Sequence, residues 1–268
     1  MKYTEITSRK NGAVAFAASL SDKRERDASG LFPIEGIKLF CEAVKEGFEI
    51  DSVFFTREAL GKYAVSLESA EIGSAYLVTD EVYSRMTTEK APQGIYACVK
   101  KKDNSALLER ELEKGSLVIL DGIQNPQNIG AIFRSAYSLG FDRIIFSADC
   151  ADIYGPKCSR AAMGSLFKVK AFCCGDIPTV IGKIRENGNR VFCAALSEKS
   201  KKLGDVTFLK GDCIVIGNEG HGVSPETLDA CGNTLYIPMN EGAESLNAAC
   251  AASLLFWEMR KSVLTENI

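Results

Sequence analysis

The spacing of apolar positions changes character near residue 115. Before it, apolar residues recur at helical intervals over Lys10–Ala18 and Ile34–Lys45, which predicts two helices, the second stopped by Gly47. Three short runs bounded by polar or turn residues, DSVFF (51–55), AYLV (75–78) and GIYACVKK (94–101), predict strands. Asp80 suits the cap of a short helix reaching Met86. The stretch KKDNSALLERELEKG (101–115) alternates charges with leucines and reads as a linker that becomes a helix.

After Gly115 the rhythm becomes strand, loop, helix, repeated. The apolar runs are LVILD (117–121), DRIIFS (142–147), FKVKAF (167–172), RVFCAAL (190–196), DCIVIG (212–217) and TLYIPM (234–239). Strands that are apolar on both faces have to be covered on both faces, so the pattern predicts a parallel sheet between helical layers. The fold expected is α/β in two domains: a smaller α/β unit over 1–104 and a parallel-sheet unit over 105–268.

Composition narrows the class. Apolar residues make up 46% of the 268 positions and charged ones 25%, the balance of a folded globular chain. A net charge of −3 gives no global sign of a polyanion binder, so any basic face must be local. The first forty residues carry seven Lys or Arg against five acids, and Arg9, Lys10, Lys23, Arg24 and Arg26 are the candidates for such a face. No apolar run approaches the roughly 18 residues of a membrane span, and MKYTEITSRKNG has no signal core. The ten cysteines contain no CxxC pair and read as small buried hydrophobes in a reducing, cytoplasmic setting. With one histidine, His221, neither a histidine metal site nor a Ser-His triad is expected, and no metal is.

Candidate chemistry gathers in three loops, because ligands of parallel sheets collect at the carboxyl ends of strands. In NPQNIGAIFRSAYSLG (125–140), Asn128 and Gly130 precede Arg134 on a helix; cap, turn and surface cation would be an ordinary account of the three. IVIGNEGHGVSPE (214–226) sets three glycines around Glu219. It lacks GxGxxG spacing, and its carboxylate would repel a pyrophosphate, so a neutral or cationic ligand fits better. His221 reads as an exposed turn residue. IPMNEGAESLNAACAASLLFWEMRK (237–261) holds a helix beginning near ESLN, with Glu244 and Ser245 suited to its start and a small-residue face able to pack closely.

Taken together and in this order, NPQNIGAIFRSA, IGNEGHGVS and IPMNEGAESLNAA resemble the three signature motifs of the SpoU-type RNA 2'-O-ribose methyltransferases of the SPOUT superfamily. The resemblance covers Leu117–Lys261, with RAAMGSLFKVKAF (160–172) similar to a further family segment. Residues 8–44 look like the RNA-binding domain, related to a ribosomal-protein fold, that many members carry. The resemblance implies a deep trefoil knot, S-adenosylmethionine as cofactor, an RNA substrate with ribosomal RNA foremost, and a homodimer. It implies cofactor contacts at Leu196, Gly217, Ile237 and Leu246. Arg134 is implied as catalytic, with Asn128 orienting it or the ribose and Glu219, Ser245 and Asn247 holding the loops and the arginine. Position 218 departs from the pattern, being Asn where members often carry Ser.

A free guanidinium keeps its proton up to a pKa of about 12 or more, so a charge-stabilising role for Arg134 competes with a general-base role. Other readings stay open as well. A transfer-RNA 2'-O-methyltransferase or a non-catalytic ribosome assembly factor would carry the same fold. A dinucleotide oxidoreductase would need a Gly-rich phosphate turn after its first strand, and DGIQNPQNIG does not supply one.

Overall fold

The structure is a computed structural model that describes residues 1–196, 199–242 and 245–265, with side chains described to residue 261. The chain separates into two compact units. The first is Met1–Lys102 joined by Tyr154–Phe167, and the second is Asp103–Ile153 with Lys168 onward. The division falls beside the boundary expected at 104, but the inclusion of 154–167 in the first unit has no counterpart in the sequence reading.

The first unit runs β1 (Thr4–Ile6), α1 (Gly12–Ser19), α2 (Lys23–Ser29), β2 (Leu31–Glu35), α3 (Ile37–Lys45), β3 (Ile50–Phe55), α4 (Arg57–Glu68), β4 (Ile72–Val78), α5 (Asp80–Tyr83) and β5 (Ile95–Lys100). Its sheet has the order β1-β4-β3-β5-β2, with β1, β4 and β3 parallel and β5 antiparallel to both β3 and β2. The sequence reading places Ile34 and Glu35 in a helix, whereas they end β2. Pro33 sits in that strand because β2 is at the sheet edge, where a residue without an N–H is tolerated. Thr79, not Asp80, caps α5, its hydroxyl accepting from the Val82 N–H at 3.3 Å. A core of Ile6, Val14, Leu20, Phe54, Val82 and Tyr96 fills one side of the sheet.

The second unit holds α6 (Leu108–Leu112), β6 (Val118–Asp121), α7 (Pro126–Ser138) and β7 (Arg143–Ser147). The chain then passes through α8 (Pro156–Ala162), which belongs to the first unit, and returns as β8 (Lys170–Cys174) and α9 (Ile177–Glu186). It continues with β9 (Val191–Ala194), β10 (Lys201–Lys202), β11 (Cys213–Gly217), α10 (Pro225–Cys231), β12 (Gly232–Tyr236) and α11 (Ala248–Thr265). All seven strands are parallel, in the order β10-β12-β9-β11-β6-β7-β8. The central β6 and β11 are fully buried through Val118, Ile119, Leu120, Ile214 and Val215, as strands covered on both faces must be.

Two features of this unit position the site. Asn125 caps α7 by accepting from the Gln127 N–H at 2.9 Å, and Pro126 occupies the first turn, where no amide donor is missed. Burial of Ile129, Ile132, Phe133 and Ala136 fixes the rotation of α7 about its axis, at about 1.5–3 kcal/mol for each large side chain. α11 packs beside α7, with Phe141 and Phe256 at 5.2 Å and Arg260 donating to the Gly140 carbonyl at 2.6 Å. Among the described residues no helix is long and apolar enough to cross a membrane. None of the ten cysteines is in a disulfide; six are buried, but Cys41, Cys173 and Cys250 are exposed, contrary to a uniform reading of them as core.

Candidate functional site

The ends of β6 and β11 and the start of α11 meet through one hydrogen-bonded relay. Asn247 donates from Nδ2 to Asn128 Oδ1 at 2.9 Å, and Asn128 donates from Nδ2 to Glu219 Oε1 at 2.8 Å. The Glu219 carboxylate also accepts the N–H groups of Gln124 at 3.1 Å and Asn125 at 3.2 Å, just ahead of α7. Burial alone would raise the Glu219 carboxyl. The hydrogen bonds from Asn128 and from backbone N–H groups outweigh it and hold the group below the usual carboxylate range. Asn247 serves twice, since its Oδ1 caps α11 by accepting from Ala249 at 2.9 Å and Cys250 at 3.3 Å. The residue that starts this helix is therefore Asn247; Glu244 lies outside the described residues.

The sequence offers Asn128 as the cap of α7, but Asn125 is the cap, which leaves Asn128 inside the first turn and only 7% exposed. Asn218 and Asp121, to which the sequence assigns no role, brace the same loops. Asn218 donates to the Gly122 carbonyl at 2.6 Å and accepts from Gly220 at 2.8 Å and His221 at 3.1 Å. The departure from Ser at 218 thus gives a side chain long enough to bind the neighbouring loop and its own. Asp121 accepts both the N–H and the hydroxyl of Ser224 at 2.9 Å, tying the end of β6 to the start of α10. The signal available in sequence was only an acid at a strand end and a Ser before Pro225.

Gly217, which the resemblance implies as a cofactor contact, has a reason within its own chain to lack a side chain. A Cβ there would lie 2.4 Å from Gly222 C and Val223 N, because Asn218 and Gly222 exchange two backbone hydrogen bonds and fold the loop back. Strand register puts the remaining candidates at one edge. Leu235 pairs with Ala194 and Cys193 with Val215, so Leu196, Ile237 and Gly217 follow the carboxyl ends of the adjacent strands β9, β12 and β11. Leu196 is 86% exposed and Leu246 40%, apolar surface that the described residues leave uncovered.

Arg134 is exposed on α7, and among the described residues no hydrogen bond or ion pair reaches its guanidinium. It is six positions from Asn128, about 120° away around the helix axis, so the relay braces the loops and not the arginine. Ser245 is exposed and likewise joins no hydrogen bond among the described residues. In the first unit, Arg26 departs from the expected RNA-facing set. It is 4% exposed and donates to the Leu20 and Ser21 carbonyls at 2.7 and 2.9 Å, closing the turn before α2. Lys23 is exposed and paired with Asp27 at 2.6 Å, and Arg9 lies 3.9 Å from Glu81, while Lys10 and Arg24 are exposed.

Comparison with known proteins adds what geometry alone does not. A model described as the SpoU rRNA Methylase family matches residues 115–257, and one described as an MRM3-like substrate binding domain matches residues 11–97. The chain is 29% identical over 258 residues to the 23S rRNA (guanosine(2553)-2'-O)-methyltransferase RlmP of Bacillus subtilis, covering 96% of this chain and 99% of that protein. It is 29% identical over 261 residues to the 23S rRNA (uridine(2479)-2'-O)-methyltransferase of Streptomyces viridochromogenes, covering 94% and 90%. The crystal structure of an AdoMet-bound rRNA methyltransferase from Sinorhizobium meliloti superposes with a TM-score of 0.87 at 26% identity, over 97% of this chain and 98% of that one.

Proposed function

Because the chain belongs to the SpoU rRNA methylase family, we propose that it methylates a ribose 2'-hydroxyl of large-subunit ribosomal RNA, with S-adenosylmethionine as methyl donor. The observation that carries this reading is the relay from Asn247 through Asn128 to Glu219, which unites the three motif loops at the carboxyl edge of the parallel sheet. The uncovered apolar side chains of Leu196 and Leu246, with Ile237, fit an adenine and a thioether chain. Backbone groups of the loop after Gly217 remain the natural partners for the polar atoms of such a ligand.

S-adenosylmethionine would supply an electrophilic methyl on a sulfonium; the ribose oxygen would gain the C–O bond as the C–S bond breaks, with S-adenosylhomocysteine as leaving group and the hydroxyl proton passing to water. The protein's task is alignment and stabilisation of developing charge. Arg134 suits the second role, because its five donors are uncommitted and can hold a phosphate or a nascent alkoxide. Asn128, Glu219 and Asn247 position the loops around it. The family pattern supports a trefoil knot in the second unit. Exposed Cys250, Leu254 and Trp257, spaced along one stripe of α11, with Tyr137 on α7, support a homodimer that covers them. A cytoplasmic location fits cysteines that form no disulfide.

The test is incubation of the protein with ribosomal RNA and labelled S-adenosylmethionine, followed by mapping of the methylated ribose, beside calorimetric binding of the cofactor. Arg134→Ala should lower transfer by roughly a hundredfold or more, the worth of one lost charge-stabilising donor, while cofactor binding persists. Wild-type binding of the cofactor without transfer would favour an assembly factor, and labelling of transfer RNA alone would move the substrate. Sedimentation at micromolar concentration reads the dimer.

A further inference from the structure

A cavity of about 300 Å³ in the first unit is lined by Glu35, Leu39, Ala91, Gln93, Arg160 and Met163, among others. Its volume is at the low end of the roughly 300–1,000 Å³ range of small-ligand pockets. Two of its polar side chains are half committed. Glu35 Oε1 accepts the hydroxyls of Tyr83, at 3.2 Å, and Thr87, while its second oxygen has no partner among the described residues. Gln93 Oε1 accepts the Ile37 N–H at 3.0 Å, which leaves its Nε2 as a donor. The wall therefore offers one acceptor and one donor above the apolar surface of Leu39 and Ala91.

The remaining wall comes from the α8 segment. Arg160 is held by Thr88 Oγ1 at 2.8 Å and Glu89 Oε1 at 2.5 Å, both through Nη1, so its guanidinium plane is fixed while other donors stay free. Met163 follows α8 at φ +50°, a left-handed conformation natural to glycine, yet the chain keeps a large, 45% exposed apolar side chain there. A separate observation points the same way. Ser159 is 2% exposed and its Oγ has no partner; it lines a neighbouring void of about 20 Å³ that shares Glu35, Leu39 and Arg160 with the cavity. Close packing does not leave such a hydroxyl unless something else completes the site.

Lys38 and Arg160 are balanced by Glu35 and Glu89 among the lining residues, so a phosphate would meet two carboxylates, whereas a flat neutral ligand would not. Single-stranded RNA is read by stacking bases on aromatic or guanidinium planes and bonding their edges. We propose that this cavity seats one unpaired keto base, guanine or uracil, of the RNA substrate. Its ring N–H is accepted by Glu35, its carbonyl takes the Gln93 amide, and its face lies against Arg160 and Met163. The inference rests on the reading of the chain as an RNA methyltransferase. It also explains why Arg160 and Met163, inside the stretch matched by the methylase model, line the same cavity as residues of the matched substrate-binding stretch.

The experiment uses the full chain with ribosomal RNA. Met163→Gly relieves the backbone and should keep or raise the melting temperature, while KM for RNA rises about tenfold, the fold-change of one lost stacking contact. Ala91→Trp, which fills the cavity, should also raise KM for RNA, and neither variant should shift cofactor affinity in calorimetry. RNA carrying 4-thiouridine or 6-thioguanosine should photocrosslink to peptides containing residues 87–93 or 154–167. Wild-type KM in both variants, or crosslinks confined to other peptides, would overturn the proposal. If the wild type transfers no methyl to any RNA, the methyltransferase reading fails, and the crosslinks of bound RNA still decide the cavity.

Discussion

Replacing Asn128 by Asp perturbs the relay at its centre with almost no change of shape. The substitution exchanges the Nδ2 donor for a carboxylate oxygen 2.8 Å from Glu219 Oε1. Two unit charges at that separation repel by about 1.5 kcal/mol at the permittivity of water and by about 6 kcal/mol at an effective value of 20. Glu219 is exposed, so the lower part of that range applies. Adding the lost charge-assisted hydrogen bond, about 1.5–3 kcal/mol, places Asn128→Asp about 4 kcal/mol below wild type at pH 8. The pH dependence then separates mechanisms. In the wild type the Glu219 carboxyl sits below its ordinary range, so its contribution is complete above the unfolded value and is lost as pH falls through the folded one. In the variant the two carboxyls share a proton that the unfolded chain binds less tightly, so their folded value is raised and stability returns on acidification. Urea unfolding of both proteins at pH 8, 6.5 and 5 should show the gap shrinking to about 1–2 kcal/mol, the residue of a neutral hydrogen bond less good than the original. A gap that stays constant across that range refutes the direct contact on which the relay depends.

Gly217→Ala drives a Cβ to 2.4 Å from the backbone of Gly222 and Val223, so thermal stability should fall by about 2 kcal/mol and cofactor affinity in calorimetry with it. Unchanged affinity would show that the folded-back loop is not part of the cofactor site. Arg26→Ala leaves the Leu20 and Ser21 carbonyls without their donor and should cost about 1–3 kcal/mol in urea unfolding with the salt dependence of RNA affinity intact. Arg24→Glu, at an exposed position, should do the reverse, lowering the log–log salt slope of RNA binding by roughly one unit with little loss of stability.

The second unit was the more legible in sequence because its central strands are apolar on both faces. β2 was missed because Pro33 and the brevity of an edge strand disguise it, and β1 because three residues carry almost no pattern. At the site, the motif residues could be chosen from the chain, but their connections could not. The relay joins positions 91 and 119 apart, and the Asn218 and Asp121 braces span 96 and 103. Nothing local distinguishes an Asn that caps its own helix, as Asn125 does, from one three positions on that bonds a distant carboxylate. Arg26 shows the converse: a basic residue in a charged helix looks solvent-facing until the carbonyls of the preceding turn close around it.

Asn247 binds Asn128 with the same side chain whose other atom starts α11. The third motif loop can therefore join the loops after β6 and β11, which Glu219 and Asn218 already tie to each other, only once α11 has formed and docked. A chain in which that helix is unformed would hold a site with one of its three loops unfastened.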